Sequence, residues 1–564
     1  MQGRAALVVG ILAALLLAWT PVAASELDFE FMVHRVVARM TLEEKVGQLI
    51  IAGIPGTRPE DGGLELVRRL HLGGVVYLAS NVDTPAQVRA LSEGLQRGAL
   101  AGLPLFVAID HEGGLVMRLR EPVTQLPDPM AIGATGDPAL ARQAGAVAAA
   151  ELLALGINFN LAPVLDVNDT PANPVIGRRS FGDRPSEVAA FGVAYLEGLQ
   201  AGGVLASGKH FPGHGHADTD SHVALPVIDR SLGWLTAIDL TPFRAAIAAN
   251  VATIMTAHVI YPALDPDRPA TLSPAILRTL LRDRLGFNGP ILTDALGMAA
   301  ISAEYSPGEA AVRSLQAGAD VALLVDGAEE VHSALVAAVR NGRLPLASVD
   351  ESARRVVRLK LRYRDRWAAP PPLSVIGSPA HLAVADEIGR RAVTVVRDRD
   401  GWLPLALGSR VLVVRPTLLP SGERGLAAAL RRAGAGEALE ITVALRDAES
   451  KALAREEALA AAPRYDAVIV ATHWADPWSG PGSDPAWQRE TIEALRATGV
   501  PVIVAATGDP YDLASFPDVP AYLVTYGATP AQLQGLADRI FGRTPPNAVG
   551  RLPVALPPEQ PRFP

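Results

Sequence analysis

Cysteine is absent from all 564 residues of the sequence. That excludes a disulfide framework, thiolate metal ligands, a cysteine nucleophile and a lipidated N-terminal cysteine. Aromatic residues are scarce, at 5%, and no basic cluster is interleaved with them, so nothing points to a nucleic-acid partner. Low-complexity tracts are missing, and the net charge of -8 is mild and spread along the chain. Beyond the N-terminus no apolar run is long enough to span a bilayer. What remains is a globular composition, about half apolar and a fifth charged, too long for one ordinary domain.

The first residues have the layout of a secretory leader. Arg4 precedes a nearly unbroken apolar run from Ala5 to Trp19, and Val22-Ala23-Ala24 offers small residues where a signal peptidase needs them, before Ser25. An uncleaved anchor is the alternative, because the run approaches spanning length. The cleavage-like site favours removal. Residues 1–24 are predicted to be a signal peptide, and the mature protein to be soluble and secreted or otherwise extracytoplasmic, in a periplasm or cell wall, with no stable membrane association.

From residue 28 to 365, short β-rich runs alternate with helical stretches. Thr41 and Glu44 make a capping box at the first helix. The strand runs are Gln48–Ala52, Gly74–Leu78, Leu105–Ile109, Phe159–Leu165, Val204–Ala206, Ala252–Thr256, Pro290–Thr293 and Val321–Val325, with helices such as 186–200 and 234–250 between them. Eight such units suit a (β/α)8 TIM-like barrel. An open doubly wound sheet would show the same alternation, but no Gly-x-Gly-x-x-Gly turn follows the first strand. Asp110, Asp166, His210, His258 and Asp294 each fall at or just past a strand's C-terminal end, and in a barrel those ends converge on the catalytic face.

The chemistry centres on Lys209-His-Phe-Pro-Gly-His-Gly-His-Ala-Asp-Thr-Asp-Ser-His222, fourteen residues of which four are histidine. Its Gly and Pro residues predict an irregular active-site loop leaving a buried strand. Asp220 and His222, two apart, would share one face of an extended segment, where the carboxylate can orient the imidazole for acid/base work. A zinc site is the competing idea, but no His-x-x-x-His helix and no thiolate supports it, so no metal and no cofactor are expected. Asp294, at a strand tip in Gly289-Pro-Ile-Leu-Thr-Asp-Ala-Leu-Gly-Met298, is either a functional carboxylate or the N-cap of the next helix. Asp110-His-Glu-Gly-Gly-Leu-Val-Met-Arg118 is either a ligand-facing turn or a capped turn with a surface arginine.

These motifs, together with Val175-Ile-Gly-Arg-Arg-Ser-Phe-Gly182, resemble in order the signature of the β-N-acetylglucosaminidase branch of family-3 glycoside hydrolases. The resemblance spans most of residues 30–365. It implies that Asp294 is the catalytic nucleophile and His222 the general acid/base, with Asp220 as its dyad partner. It further implies that Asp110, Arg118, Arg179, Lys209 and His210 bind the sugar being released. The implied reaction is retaining, through a covalent glycosyl-enzyme. An imidazole acid/base repels an anionic acceptor less than a carboxylate would, so phosphorolysis is a second enzyme reading. Leu115 and His111 depart from the family pattern and are expected to change the rim beyond the terminal sugar.

Residues 366–378, around Ala369-Pro-Pro-Pro-Leu373, are predicted to be a stiff extended linker. Beyond them, six further strand runs predict a smaller α/β sandwich domain over residues 379–564, resembling the family's C-terminal domain. His473, Trp474, Asp476 and Trp478 form a polar-aromatic loop expected to pack between the domains or edge the cleft. The sequence as a whole predicts an exported exo-acting β-N-acetylglucosaminidase for a small carbohydrate or muropeptide substrate, working as a monomer or loose dimer. A β-glycoside phosphorylase, a β-glucosidase or β-xylosidase, and a lapsed carbohydrate-binding protein are the alternatives.

Overall fold

Eight short parallel strands form one continuous sheet in the first half of the chain. They are β1 Ile50–Gly53, β2 Gly74–Tyr77, β3 Phe106–Ile109, β4 Phe159–Asn160, β5 Leu205–Phe211, β6 Thr253–Thr256, β7 Ile291–Leu292 and β8 Ala322–Leu324. Their order is β7-β6-β5-β4-β3-β2-β1-β8, and a parallel bridge, Leu292↔Val321, joins the two ends. Across that seam the amide of Thr293 donates to the Val321 carbonyl at 3.0 Å, and the amide of Val321 to the Ile291 carbonyl at 3.1 Å. The sheet is therefore a barrel, and the predicted (β/α)8 fold is the observed one. This is a computed structural model, and it describes residues 20–417, 422–475, 483–545 and 549–556.

Every barrel strand is buried on both faces because one face fills the barrel and the other lies under helices. All eight predicted runs contain a strand. The largest difference is β5, predicted to end at Ala206, which continues through Phe211. Its polar end keeps pairing, with Ser207 opposite Thr253 and Phe211 opposite Thr256, because carboxylates inside the barrel mouth satisfy its charged side chains. The helix predicted over 234–250 is two helices, Leu232–Ala237 and Leu240–Ala248. Between them Asp239 is buried and turned toward His216, at 3.1 Å.

At the N-terminus a helix, Thr20–Ala38, runs through the expected cleavage point and lies along the helix Leu346–Trp367, with Glu30 paired to Arg358. The rest of the proposed leader, residues 1–19, lies outside the described residues. No helix among the described residues is long and apolar enough to cross a membrane.

The second domain has six strands: β9 Thr394–Asp398, β10 Arg410–Pro416, β11 Glu437–Val443, β12 Ala467–Thr472, β13 Val502–Ala506 and β14 Ala521–Val524. Their order is β9-β14-β13-β12-β10-β11, parallel except for β9 at one edge. Alternate residues feed two cores: Val411, Val413, Ile469 and Ile503 face one, while Leu412, Val414, Val468 and Val504 face the other. The second of these cores also takes Met130, Ala131 and Ala134 from the barrel's helix Pro129–Ala134, so it is shared between domains.

Residues 366–378 are packed rather than extended. The end of the helix Leu346–Trp367 and a 3-10 turn, Leu373–Val375, occupy much of them. The Trp367 indole N–H donates to the Gly203 carbonyl at 2.8 Å, and Glu151 accepts from the Gly377 amide at 3.0 Å.

Candidate active site

The C-terminal ends of β3, β4, β5 and β7 deliver the charged groups. Lys209, on β5 and fully buried, sends its Nζ to Asp110 Oδ1 at 2.8 Å and to Glu112 Oε1 at 2.6 Å. Glu112 is buried as well and accepts a two-pronged bond from Arg179, Nε and Nη2 each at 2.8 Å. Burial pushes the Glu112 carboxyl up, but Arg179 and Lys209 overcome this and hold it well below the usual carboxylate range. Burial by itself would lower Lys209, yet Asp110 and Glu112 raise it above its ordinary value. The result is a rigid, fully charged chain, Asp110–Lys209–Glu112–Arg179, suited to gripping hydroxyls or an amide.

A second cluster sits beside it. Asp166, wholly buried after β4, accepts the Nδ1–H of His210 at 2.7 Å and the backbone amides of His210 and His214 at 3.1 and 2.7 Å. Because Nδ1 faces a carboxylate it carries the proton, and His210 Nε2 has no protein partner among the described residues. Asp294 follows β7 and is partly exposed. Burial pushes its carboxyl up, but His258, His210, the Ala295 amide at 2.7 Å and Lys209 bring it below the usual range. It is an ionised carboxylate rather than a helix cap. His258 Nε2 donates to the Ala295 carbonyl at 3.1 Å while Nδ1 meets Thr271 Oγ1 at 2.7 Å, which fixes the peptide that holds Asp294.

Asp220 and His222 meet in a different way from the extended pairing predicted. Residues 221–223 form a turn, and Asp220 Oδ1 accepts both the His222 amide and His222 Nδ1 at 2.8 Å. A turn brings the i and i+2 groups together through the Asp-to-backbone bond, which a pleated strand does not make. Between them, Ser221 is buried; its hydroxyl meets His214 Nε2 at 3.2 Å and its carbonyl accepts the amide of Ala300, in the helix Ala299–Ser302 that follows Asp294, at 3.3 Å. His222 itself is exposed on the same rim.

The glycines of this loop are not hinges. A Cβ on Gly213 would lie 2.4 Å from Asp239 Oδ1, and one on Gly215 would lie 1.8 Å from the Val167 carbonyl oxygen. They are small so that the chain can pass close to its neighbours. His216 bridges Asp239 and Asp169 and packs edge-on against Trp234. The root of the loop, residues 212–217, is thus locked, and only residues from 218 onward reach the surface.

Arg118 makes no hydrogen bond or ion pair among the described residues, and its Nε is buried without a partner. The structure does not join it to the Lys209 cluster. Leu115 is exposed on the rim, whereas His111 is buried, its pKa lowered to about 4 by burial and by Arg120, so His111 is no rim residue. Glu112, Asp166, His258 and Ser221 escaped assignment as site residues. Asp166 and His258 carried the strand-end signal, and Glu112 lay inside a quoted motif; nothing local marked its partners. In the second domain His473 is buried with Trp474 against it, ring centroids 4.5 Å apart. Asp476 and Trp478 lie outside the described residues.

Comparison with known proteins adds independent findings. The description "Glycosyl hydrolase family 3 N terminal domain" fits residues 41–359, and "Glycosyl hydrolase family 3 C-terminal domain" fits residues 372–564. Beta-hexosaminidase A of Pseudoalteromonas piscicida is 38% identical over 378 residues, 62% of this chain but only 63% of that relative. A beta-N-acetylglucosaminidase/beta-glucosidase of Cellulomonas fimi is 32% identical over 553 residues, covering 91% of this chain and 94% of its own. Among solved structures, a glycoside hydrolase family 3 beta-N-acetylglucosaminidase from Paenibacillus sp. str. FPU-7 matches with a TM-score of 0.84 and 37% identity. That match covers 92% of this chain and 99% of the other.

Proposed function

Because the chain belongs to glycosyl hydrolase family 3, we propose that it is a retaining, exo-acting β-N-acetylglucosaminidase. Its substrates would be peptidoglycan fragments or related amino-sugar glycosides carrying a terminal non-reducing β-linked N-acetylhexosamine. The names of its relatives support the sugar. The observation that carries the mechanism is the junction of the two proposed catalytic segments: the Ser221 carbonyl, between Asp220 and His222, accepts the amide of Ala300, six residues beyond Asp294, at 3.3 Å.

In this reading Asp294 attacks the anomeric carbon, and the bond to the leaving oxygen breaks through an oxocarbenium-like transition state. His222 protonates that oxygen, with Asp220 on Nδ1 presenting Nε2 to it. Water, deprotonated by His222, then attacks the anomeric carbon and releases Asp294. Asp110, Lys209 and Arg179, braced by Glu112, hold the sugar in place, and His210 offers Nε2 to the same ring. Since Asp294 stays ionised below the usual carboxylate range, its loss by protonation is expected only in acid. Arg118 belongs to this set by resemblance alone. The apolar leader supports a location outside the cytoplasm.

The test is release of p-nitrophenol from its β-N-acetylglucosaminide by the wild type and by Asp294→Ala. The variant is expected to lose about 10⁴-fold or more in kcat. Turnover unchanged in the variant would overturn the nucleophile assignment. Wild-type inactivity on a panel of aryl β-glycosides would favour the lapsed binding protein. Formation of sugar 1-phosphate only in phosphate buffer would convert the reading to phosphorolysis.

A further inference from the structure

The second domain reaches the sugar-gripping cluster through one arginine. Arg178 lies on the turn Gly177–Arg179, beside the Arg179 that clamps Glu112. Its side chain is buried, and two aspartates from different domains address it. Asp128 of the barrel forms an ion pair with Arg178 Nε at 3.1 Å, and Asp509 of the second domain accepts the Arg178 backbone amide at 3.1 Å. Both aspartates occupy the N-cap position of a helix, Pro129–Ala134 and Pro510–Ser515, and neither caps it with its side chain. A helix start that forgoes its side-chain cap gives up stability, and both carboxylates are turned to Arg178 instead.

Other contacts point the same way. Gly177 has φ +45, and a Cβ there would lie 2.9 Å from Asp509 Oδ1, so glycine lets the second domain approach the turn. Asn168 ties both ends of the contact, accepting the Gly177 amide at 3.2 Å and donating to the Tyr511 hydroxyl at 3.0 Å. Asp128 also accepts the Leu115 amide at 3.0 Å, which fixes the tip of the hairpin carrying Glu112. On its far side it meets Gly527 of the second domain, where a Cβ would fall 2.0 Å from Asp128 Oδ2. The two walls of the Lys209–Glu112–Arg179 cluster are therefore braced from the second domain.

We infer that the second domain serves catalysis by holding the Gly177–Arg179 turn, and that Asp509 is the positioning residue through which it acts. In this role Asp509 acts through the Arg178 amide rather than on the sugar. It fixes the backbone from which Arg179 reaches Glu112, and Glu112 in turn sets Lys209 and Asp110. The inference rests on the proposed function insofar as that cluster grips the glycone.

The test compares full-length wild type, Asp509→Ala and Asp509→Asn, because asparagine can still accept the Arg178 amide. Steady-state kinetics on an aryl β-N-acetylglucosaminide and the affinity of an N-acetylglucosamine-derived inhibitor are measured beside the melting temperature. The expected result is a KM and an inhibitor Kd raised about tenfold in Asp509→Ala, a smaller change in kcat, and recovery to within about threefold in Asp509→Asn. Asp509→Ala with a lowered melting temperature but an unchanged KM and inhibitor affinity would overturn the inference. So would an Asp509→Asn variant no better than the alanine. If the wild type itself neither hydrolyses nor binds these sugars, the functional reading falls and this inference with it. An active wild type matched by Asp509→Ala removes the inference alone.

Discussion

At the scale of single residues, the site separates groups by the charge they must carry. Asp294 is kept ionised by cationic and N–H neighbours, as the nucleophile role proposed for it requires. His222 sits on the rim with Asp220 on Nδ1, which leaves Nε2 to exchange a proton. If His222 protonates the departing oxygen, His222→Ala should matter most where the leaving group is poor. We expect a loss of about 10²–10⁴ in kcat/KM for an alkyl or sugar aglycone and a far smaller loss for 2,4-dinitrophenol. Equal losses for both would count against the assignment. Asp110, Asp166, His210, His258 and Asp294 could be picked out from sequence because polar residues ending apolar strands mark a barrel's active face, whereas Lys209 came only from the family resemblance. Glu112 could not be singled out: in Glu112-Gly-Gly it looks like part of a turn, and its partners come from distant segments, Arg179 from the turn Gly177–Arg179 and Lys209 from β5.

At the scale of elements, the His-rich segment divides into a locked root and a reactive tip. His216 shows how the root is held. Burial would lower its pKa, but Asp239 and Asp169 raise it to about 9 from the usual 6.5, so it is an imidazolium at neutral pH. A raised folded-state pKa adds stability that is complete below about 6.5 and is lost as the pH climbs through 9. The stabilisation is on the order of 3 kcal/mol. Denaturation of the wild type and of His216→Asn across this range should show the wild-type advantage shrinking between pH 6.5 and 9. A constant gap would refute the ion pair. The sequence placed the histidines in one segment but not their separate duties. The barrel wall at Val167 and the buried Asp239 show that Gly215 and Gly213 make room for close packing.

At the scale of the whole molecule, a few buried carboxylates join the parts. Glu151, on the barrel helix Pro138–Ala154, accepts the Thr124 amide and hydroxyl at 2.8 and 2.6 Å and His381 Nδ1 at 2.8 Å, besides the Gly377 amide. It couples the interdomain segment to the barrel. Glu151→Ala strands several buried donors at once, and a loss of about 3 kcal/mol or more is expected. Urea unfolding should then separate into two transitions, barrel and second domain. One cooperative transition at the wild-type midpoint would show that the docking relies on other contacts. Linker composition suggested an independent spacer, because proline runs carry no information about the surface on which they lie.

What the sequence determined by itself was local: the alternation of strand and helix in both domains, the capping box at Thr41, and the polar residues that close five of the eight barrel strands. Such features depend on neighbours a few residues apart, and periodicity records them. Only the tertiary structure decided which charges meet. Arg179 and Glu112 are 67 positions apart and Lys209 and Asp110 are 99 apart, so their pairing waits on barrel closure. Arg178 and Asp509, 331 apart, need the second domain docked as well. Contacts between distant segments are set by packing, which no short stretch of sequence encodes.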